Sequence, residues 1–473
     1  MTWLTTLHEW RVMRADPFIA SLGVVFVLVA AVAIGLGLSR AATEHRDISE
    51  LTRRSQFERA ELLRTVSSPA EELVEGLPWG AQHPDYVGNE RGSYAVLPPA
   101  PLGALAIGQA DLLPNHYKVT ARLQAAQVVG DHIEHPLVLL SGQLDLLFVF
   151  LFLYPLFILA MSTDLTASER ESGTLRMMVA HPVRLSTILA GKIVARAAIV
   201  LLLPIVVIFA AWLVIDGGSQ GLARTILWSV AAVTYGAFWL GLAVLVNAQG
   251  LRASTNAVVL AGLWLVIVVL APSVINLASR TAHPVPSRVQ FATAIRAATR
   301  DAMVEGSRQL GRFLEDHPAA GTGREGMQQY ALLQATRDRA IAARAEPLRT
   351  VYDRQLAEQR RFVGVAQFVS PTVMMQMVLT DIAGTSGVRH RGFYDQVSSF
   401  QQRWSAALTP KIMAVSALTA DDIERLPTFA FVEEPPSAIA QRNRLPLTGL
   451  VILTVVLWWG AVRRYSQYQV VER

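Results

Sequence analysis

Cysteine is absent from this 473-residue chain. That excludes disulfides, thiolate metal sites and cysteine nucleophiles. Lysine is almost absent as well, with only Lys118, Lys192 and Lys411. A nucleotide-hydrolysing loop needs glycines that cradle phosphate and a lysine that reaches the terminal phosphates. The sole Gly-Lys pair, Gly191-Lys192, instead runs straight into an apolar segment. The chain is therefore expected not to be an enzyme, and to carry no cofactor of its own. Charge is scarce too, at 17% of residues against 52% hydrophobic, with a mean hydropathy of +0.35. No basic tract exists, so the net charge of +5 is scattered arginine, and no nucleic-acid partner is expected.

What the chain has is long apolar runs. Phe18–Leu38, Leu146–Met161, Ile193–Ile215, Ile226–Val246, Ala257–Ile275 and Leu447–Val462 approach or reach spanning length. The composition and these runs predict a mainly α-helical membrane protein of six spans. The first run follows Arg11 and Arg14 but is too long for a signal-peptide core, and Leu38-Ser39-Arg40 is a poor cleavage site. Ahead of it, Trp3, Leu7 and Trp10 fall on one face of a short helix suited to the headgroup layer, so membrane lipid is an expected partner.

Orientation follows from the short connections. Arg11 and Arg14, then Arg170, Arg176, Arg184 and Lys192, then Arg252, then Arg463 and Arg464 all fall on one side. The short opposite connection around Asp216–Thr225 has only Arg224. The positive-inside rule places both termini in the cytoplasm. The expected organisation is an interfacial helix and first span at 1–38 and a first periplasmic domain at 39–143. Spans two to five follow at 144–275, with a cytoplasmic loop at 162–192. A second, mainly helical periplasmic domain occupies 276–446, and the sixth span and tail occupy 447–473. Within the first outer domain, Ile48–Val66 reads as a charged helix. Within the second, Ser287–Glu315 and Gly323–Phe368 read as a helical pair, with Pro347 expected to kink or split the second member. Shorter helices are expected at Pro371–Ile382 and Tyr394–Leu408.

Few residues suggest site chemistry. The apolar runs hold no ionisable group well inside, which argues against an ion-driven carrier. Asp145 and Arg196, at their edges, read as interfacial anchors. Asp131, His132, Glu134 and His135 have a spacing that can ligate metal but no visible further ligands. Arg389-His390-Arg391 reads as a surface charge cluster. The loop at 162–192 is more suggestive. Thr166 with Glu169, and Ser168 with Glu171, have capping-box spacing, Gly173 permits a turn, and Leu175, Met178 and Val179 follow at helical spacing before Pro182. Such a helix either lies on the bilayer or inserts into a cytoplasmic partner.

The run Glu169-Arg-Glu-Ser-Gly-Thr-Leu175, followed by His181-Pro-Val183 and Gly191-Lys192, resembles the loop signature of ABC-2 type permeases, the membrane subunits of ABC transporters. Three further stretches, Pro98–Pro114, His135–Asp145 and Ser370-Pro371 with Tyr394 and Trp404, resemble a subgroup with two large extracytoplasmic insertions. That subgroup is related to the permease for copper-site maturation of nitrous oxide reductase. The resemblance implies the six-helix ABC-2 exporter fold in a bacterial inner membrane. It implies a coupling helix that docks on an ABC ATPase subunit holding ATP and Mg, with Glu169, Arg170, Glu171, Gly173, Thr174, Leu175, Met178 and Pro182 as docking residues. It also implies a second permease copy or paralogue, as a homodimer or heterodimer, and leaves room for a periplasmic partner. Two other readings stand beside export. One is ATP-driven force transmission to the outer domains with nothing crossing the membrane. The other is a membrane-anchored scaffold or sensor.

Overall fold

The computed structural model describes residues 2–67, 82–108, 110, 113–122, 144–165, 167–174, 185–215, 219–316 and 323–466. Two strands accompany a mainly helical chain among these residues. Helix α1 (Thr2–Ala15) is followed after Asp16 by α2 (Pro17–Ser67), whose first-turn proline costs no helical bond. The Asp16 carboxylate accepts from the Phe18 amide at 2.9 Å. The charged helical stretch expected at Ile48–Val66 is helical and runs on without a break from the apolar one. No proline or glycine interrupts residues 39–67, and exposed pairs such as Arg54–Glu58 (2.9 Å) follow the helical i,i+4 spacing.

Five helices are long and apolar enough to cross a membrane: α2, α4 (Leu185–Ile215), α5 (Ser219–Asn247), α6 (Ala253–Ala282) and α12 (Pro436–Ser466). A shorter apolar helix, α3 (Leu146–Ser162), includes a π-helical stretch at Val149–Leu153. At about 1.5 Å per residue its 17 residues extend about 25 Å, less than the hydrocarbon thickness. Helix α5 is the centre of the bundle. Its apolar window is 72% buried, whereas those of α2, α4, α6 and α12 are 11–28% buried. Trp228, Tyr235 and Trp239 of α5 are fully buried, and Tyr154 of α3 donates to the Val200 carbonyl at 2.8 Å. The weakly buried helices carry outward apolar side chains such as Val206, Val258, Val274 and Val456, the arrangement that lipid solvates.

A further helix, α9 (Pro371–Ala383), packs inside this bundle rather than within the outer parts. Ser370 caps its start, accepting from the Val373 amide at 3.4 Å, Pro371 opens its first turn, and Gly384 at φ 82° ends it. Its alignment with α5 is antiparallel. The Thr372 and Tyr235 hydroxyls are 3.1 Å apart, Trp228 Nε1 donates to the Leu379 carbonyl at 3.2 Å, and Arg224 donates to the Ile382 carbonyl at 3.1 Å. Met375, Val378 and Leu379 share the bundle core.

At the end of the bundle away from α1, here termed the outer end, the two expected insertions merge. Strands β1 (Ser93–Val96) and β2 (His116–Val119) pair antiparallel, Ser93 opposite Val119 and Val96 opposite His116. Their Tyr117 packs on Phe393 of α10 (Gly387–Ala414) with ring centroids 5.7 Å apart, and Trp404 Nε1 donates to the Gly88 carbonyl at 3.2 Å. One apolar core thus contains Leu62 of α2, Val87, Tyr117, Phe393, Phe400, Leu418 and Ile423. Arg59 of α2 donates to the carbonyls of Ile423, Glu424 and Leu426 at 3.0, 2.9 and 3.3 Å, terminating helix α11 (Ala420–Arg425).

Beside this unit stands a pair formed by α7 (Arg288–Asp316) and α8 (Gly323–Ala366), close to the expected bounds. Phe291 and Tyr352 stack at 4.2 Å over Ile295, Ile341 and Ala345. Helix α8 continues through Pro347 instead of splitting. Arg389, expected on the surface, is held inside by Glu433. Its Nε and Nη2 donate to that carboxylate at 2.8–3.0 Å, and Nη2 also reaches the Pro98 carbonyl at 2.9 Å.

Candidate functional site

At the inner end, where α1 lies, the 162–174 segment joins the ends of several helices. Asparagines make the base. Asn247, at the end of α5, donates to the Ser162 carbonyl at 2.8 Å and accepts from the Leu165 amide at 3.3 Å. Asn256 of α6 donates to Asn247 Oδ1 at 3.1 Å and to the Thr163 carbonyl at 3.4 Å. Both asparagines are buried, and these bonds satisfy the whole Asn247 amide and the Asn256 amino group, whereas Asn256 Oδ1 is buried without a partner among the described residues.

A single helical turn, Ala167–Glu171, sits on this base. Glu169 pairs with Lys192 of α4, whose ammonium also donates to the Leu165 carbonyl at 3.2 Å. Arg170 donates to the Gly250 carbonyl in the α5–α6 connection. Glu171 accepts from the Ala253 amide at 2.8 Å, so a carboxylate stands at the positive start of α6. The three adjacent charged residues are therefore fastened to α4, to the α5–α6 connection and to α6.

The chain then turns outward. Gly173 has φ +77°, a region where other residues are strained, and its amide donates to the Arg170 carbonyl at 3.2 Å. Thr174 closes the turn by donating to the Glu169 carbonyl at 3.2 Å. Residues 171–174 are exposed. Of the residues predicted to dock, Glu169, Arg170, Glu171, Gly173 and Thr174 are thus together, the first three engaging the chain's own helices. Leu175, Met178 and Pro182 lie outside the described residues.

Helix α1 joins the same assembly. Buried Arg196 of α4 reaches Glu9 at 3.4 Å and the Asp164 carbonyl at 3.2 Å. Gly191 lets α1 and α4 meet closely, since a Cβ there would fall 2.1 Å from the Thr5 hydroxyl. In the sequence Asn247 is marked only by the polar break Asn247-Ala-Gln-Gly250 after an apolar run, and Asn256 only by its place just ahead of the next run at Ala257.

Asp145, expected as an interfacial anchor, caps α3. Its carboxylate accepts from the Phe148 amide at 2.7 Å and the Ile107 amide at 2.9 Å. Burial pushes its pKa above the ordinary range, with those two amides pulling the other way. Among the described residues no group of three or more histidines and carboxylates is placed to hold a metal. The Asp131–His135 motif lies outside them.

Fold and site together define a mainly helical protein with several helices suited to crossing a membrane and a polar loop tied to their inner ends. A family model described as "Domain of unknown function (DUF3526)" matches residues 288–432. That stretch covers the α7–α8 pair, α9, α10 and α11. No curated protein matches the chain.

Proposed function

We infer that the chain is the permease subunit of a bacterial ABC-2 type transporter, with six spans once α3 is counted, driven by ATP hydrolysis on a separate subunit. The observation that carries the reading is the fastening of Glu169, Arg170 and Glu171 to α4, the α5–α6 connection and α6. A force applied to the exposed 171–174 turn reaches those elements at once, as coupling to an external motor requires. The missing phosphate-binding lysine supports placing ATP and Mg on that motor. In this reading the termini and the 162–192 loop are cytoplasmic, the outer unit is periplasmic, and a second permease copy or paralogue completes the assembly. Nucleotide-driven closure of the ATPase subunits would bias the bundle between two states.

Export is the first reading of what the motion does. Force transmission to the periplasm is the second, favoured by α2 running unbroken from the bundle into the outer core through Leu62 and Arg59. Reconstituted vesicles separate the two, since only the first moves cargo. Glu169 and Glu171 substitutions would disturb intramolecular bonds, so docking is tested by Leu175→Asp with the thermal midpoint measured beside it. The chain alone should show no ATPase activity, and Leu175→Asp should lower co-purification of the ATPase while leaving the thermal midpoint unchanged. Wild-type co-purification and coupled hydrolysis in that variant would remove the docking assignment.

A further inference from the structure

A cleft outside the coupling machinery lies where the outer unit meets the bundle. One wall is α2 just past its apolar run, where Arg40 and Glu44, one helical turn apart, face inward. The opposite wall is the turn after α9. There Gly384 adopts φ +82°, and a Cβ at that position would lie 3.2 Å from both Arg224 Nη1 and Pro101 Cδ. The turn delivers Arg389 and His390 to the cleft, and His390 is fixed by a 2.9 Å contact to the Pro114 carbonyl. Asn115 adds an amide, while Leu97, Ile107 and Leu113 supply an apolar side.

The charges are arranged rather than mixed. Arg389 spends Nε and Nη2 on Glu433 and Pro98, leaving Nη1 uncommitted among the described residues. Glu433 is also shared with Arg224, so two guanidiniums divide one carboxylate. Arg40 lines one wall and Arg389 the other, and the one carboxylate among the lining residues, Glu44, lies in the field of both. Arg40 lies two residues past Leu38, the end of the apolar run, about 3 Å along the helix axis. The cleft is thus level with the boundary between hydrocarbon and headgroups.

We propose that this cleft binds a zwitterionic phosphoethanolamine-type headgroup, with its phosphodiester between Arg40 and Arg389 and its ammonium against Glu44. Guanidinium donors suit phosphate oxygens, and a carboxylate beside them favours a ligand that brings its own cation over a purely anionic one. The same headgroup chemistry occurs on a bilayer lipid and on a soluble phosphoethanolamine.

The test uses the full chain purified in detergent. It is offered phosphatidylethanolamine, phosphatidylglycerol or free phosphoethanolamine, and retained molecules are counted by native mass spectrometry beside thermal midpoints. Phosphatidylethanolamine should be retained about tenfold more than phosphatidylglycerol, the effect of one modest charge contact. Glu44→Gln should level the two. Glu44→Lys should reverse the preference, a gain that a misfolded chain cannot show. Displacement of the lipid by free phosphoethanolamine assigns a soluble source, and failure to displace it assigns the bilayer; both uphold the headgroup chemistry. No retention, equal retention by the wild type, or a preference untouched by both substitutions overturns the proposal.

Discussion

Replacing Glu169 with alanine should destabilise the protein, and the structure sets how much. The carboxylate is 26% exposed and the Lys192 side chain only 9%. Truncating one partner of a fully buried pair costs about 3–5 kcal/mol, because the remaining charge stays buried without compensation. Here Lys192 keeps its bond to the Leu165 carbonyl, and water reaches part of Glu169, so the expected loss is about 2 kcal/mol. Removing both charges should cost less than removing Glu169 alone. Glu169 Oε2 is buried without a partner, so the intact pair already carries a desolvation penalty. Glu169→Ala with Lys192→Met should lose about 1 kcal/mol, giving a coupling energy of about 1–2 kcal/mol in a double-mutant cycle. The assay is denaturant unfolding of the chain in mixed micelles, followed by tryptophan fluorescence. A Glu169→Ala loss below about 0.5 kcal/mol, with additive single effects, would refute the claim that this pair fastens the loop to α4.

Three other outcomes are expected. Glu433→Gln leaves Arg224, 2% exposed, and Arg389 facing one another without their shared anion, and should lower stability by about 3 kcal/mol in the same unfolding assay. Gly37→Ala should cost about 2–3 kcal/mol and shift the thermal midpoint down, because its Cβ would meet the Ala104 carbonyl oxygen at 1.9 Å, and backbone cannot give way as a side chain can. Asp422 is held down at about 2 despite some desolvation, through hydrogen bonds from Lys411 and Thr419 and the charge of Lys411. Its pKa is lower folded than unfolded, so its contribution is complete above the ordinary value of 3.8 and is lost as pH falls toward 2. Amide protection factors of residues 419–425, taken against the intrinsic exchange rate at each pH, should therefore fall across that window in the wild type and stay level in Asp422→Asn.

The apolar runs and the α7–α8 pair were legible because each element declares itself locally, by length or by a stripe such as Leu348, Tyr352 and Leu356. What was not legible depended on contacts between distant segments. Phe393 and Tyr117 are each ordinary aromatic residues in separate insertions, and nothing local says that they share one core. Helix α9 did carry a signal, since Val373, Met374, Met375, Val378 and Leu379 are too few to span but too apolar for a free surface. At the loop, the Glu169-Arg-Glu171 run was recognisable as a motif, and Gly173 as a turn. Its direction was not recognisable, because an N-terminal carboxylate contact to Ala253 joins residues 82 positions apart.

In the force-transmission reading, helix α2 is a lever. Its 29 residues beyond Leu38 extend about 43 Å, so a tilt of about 10° at the membrane sweeps the far tip through about 8 Å. Arg59, gripping three carbonyls near that tip, is where such a stroke would be handed over. Small rotations among tightly packed helices would then emerge far from the membrane as a displacement the size of a side chain.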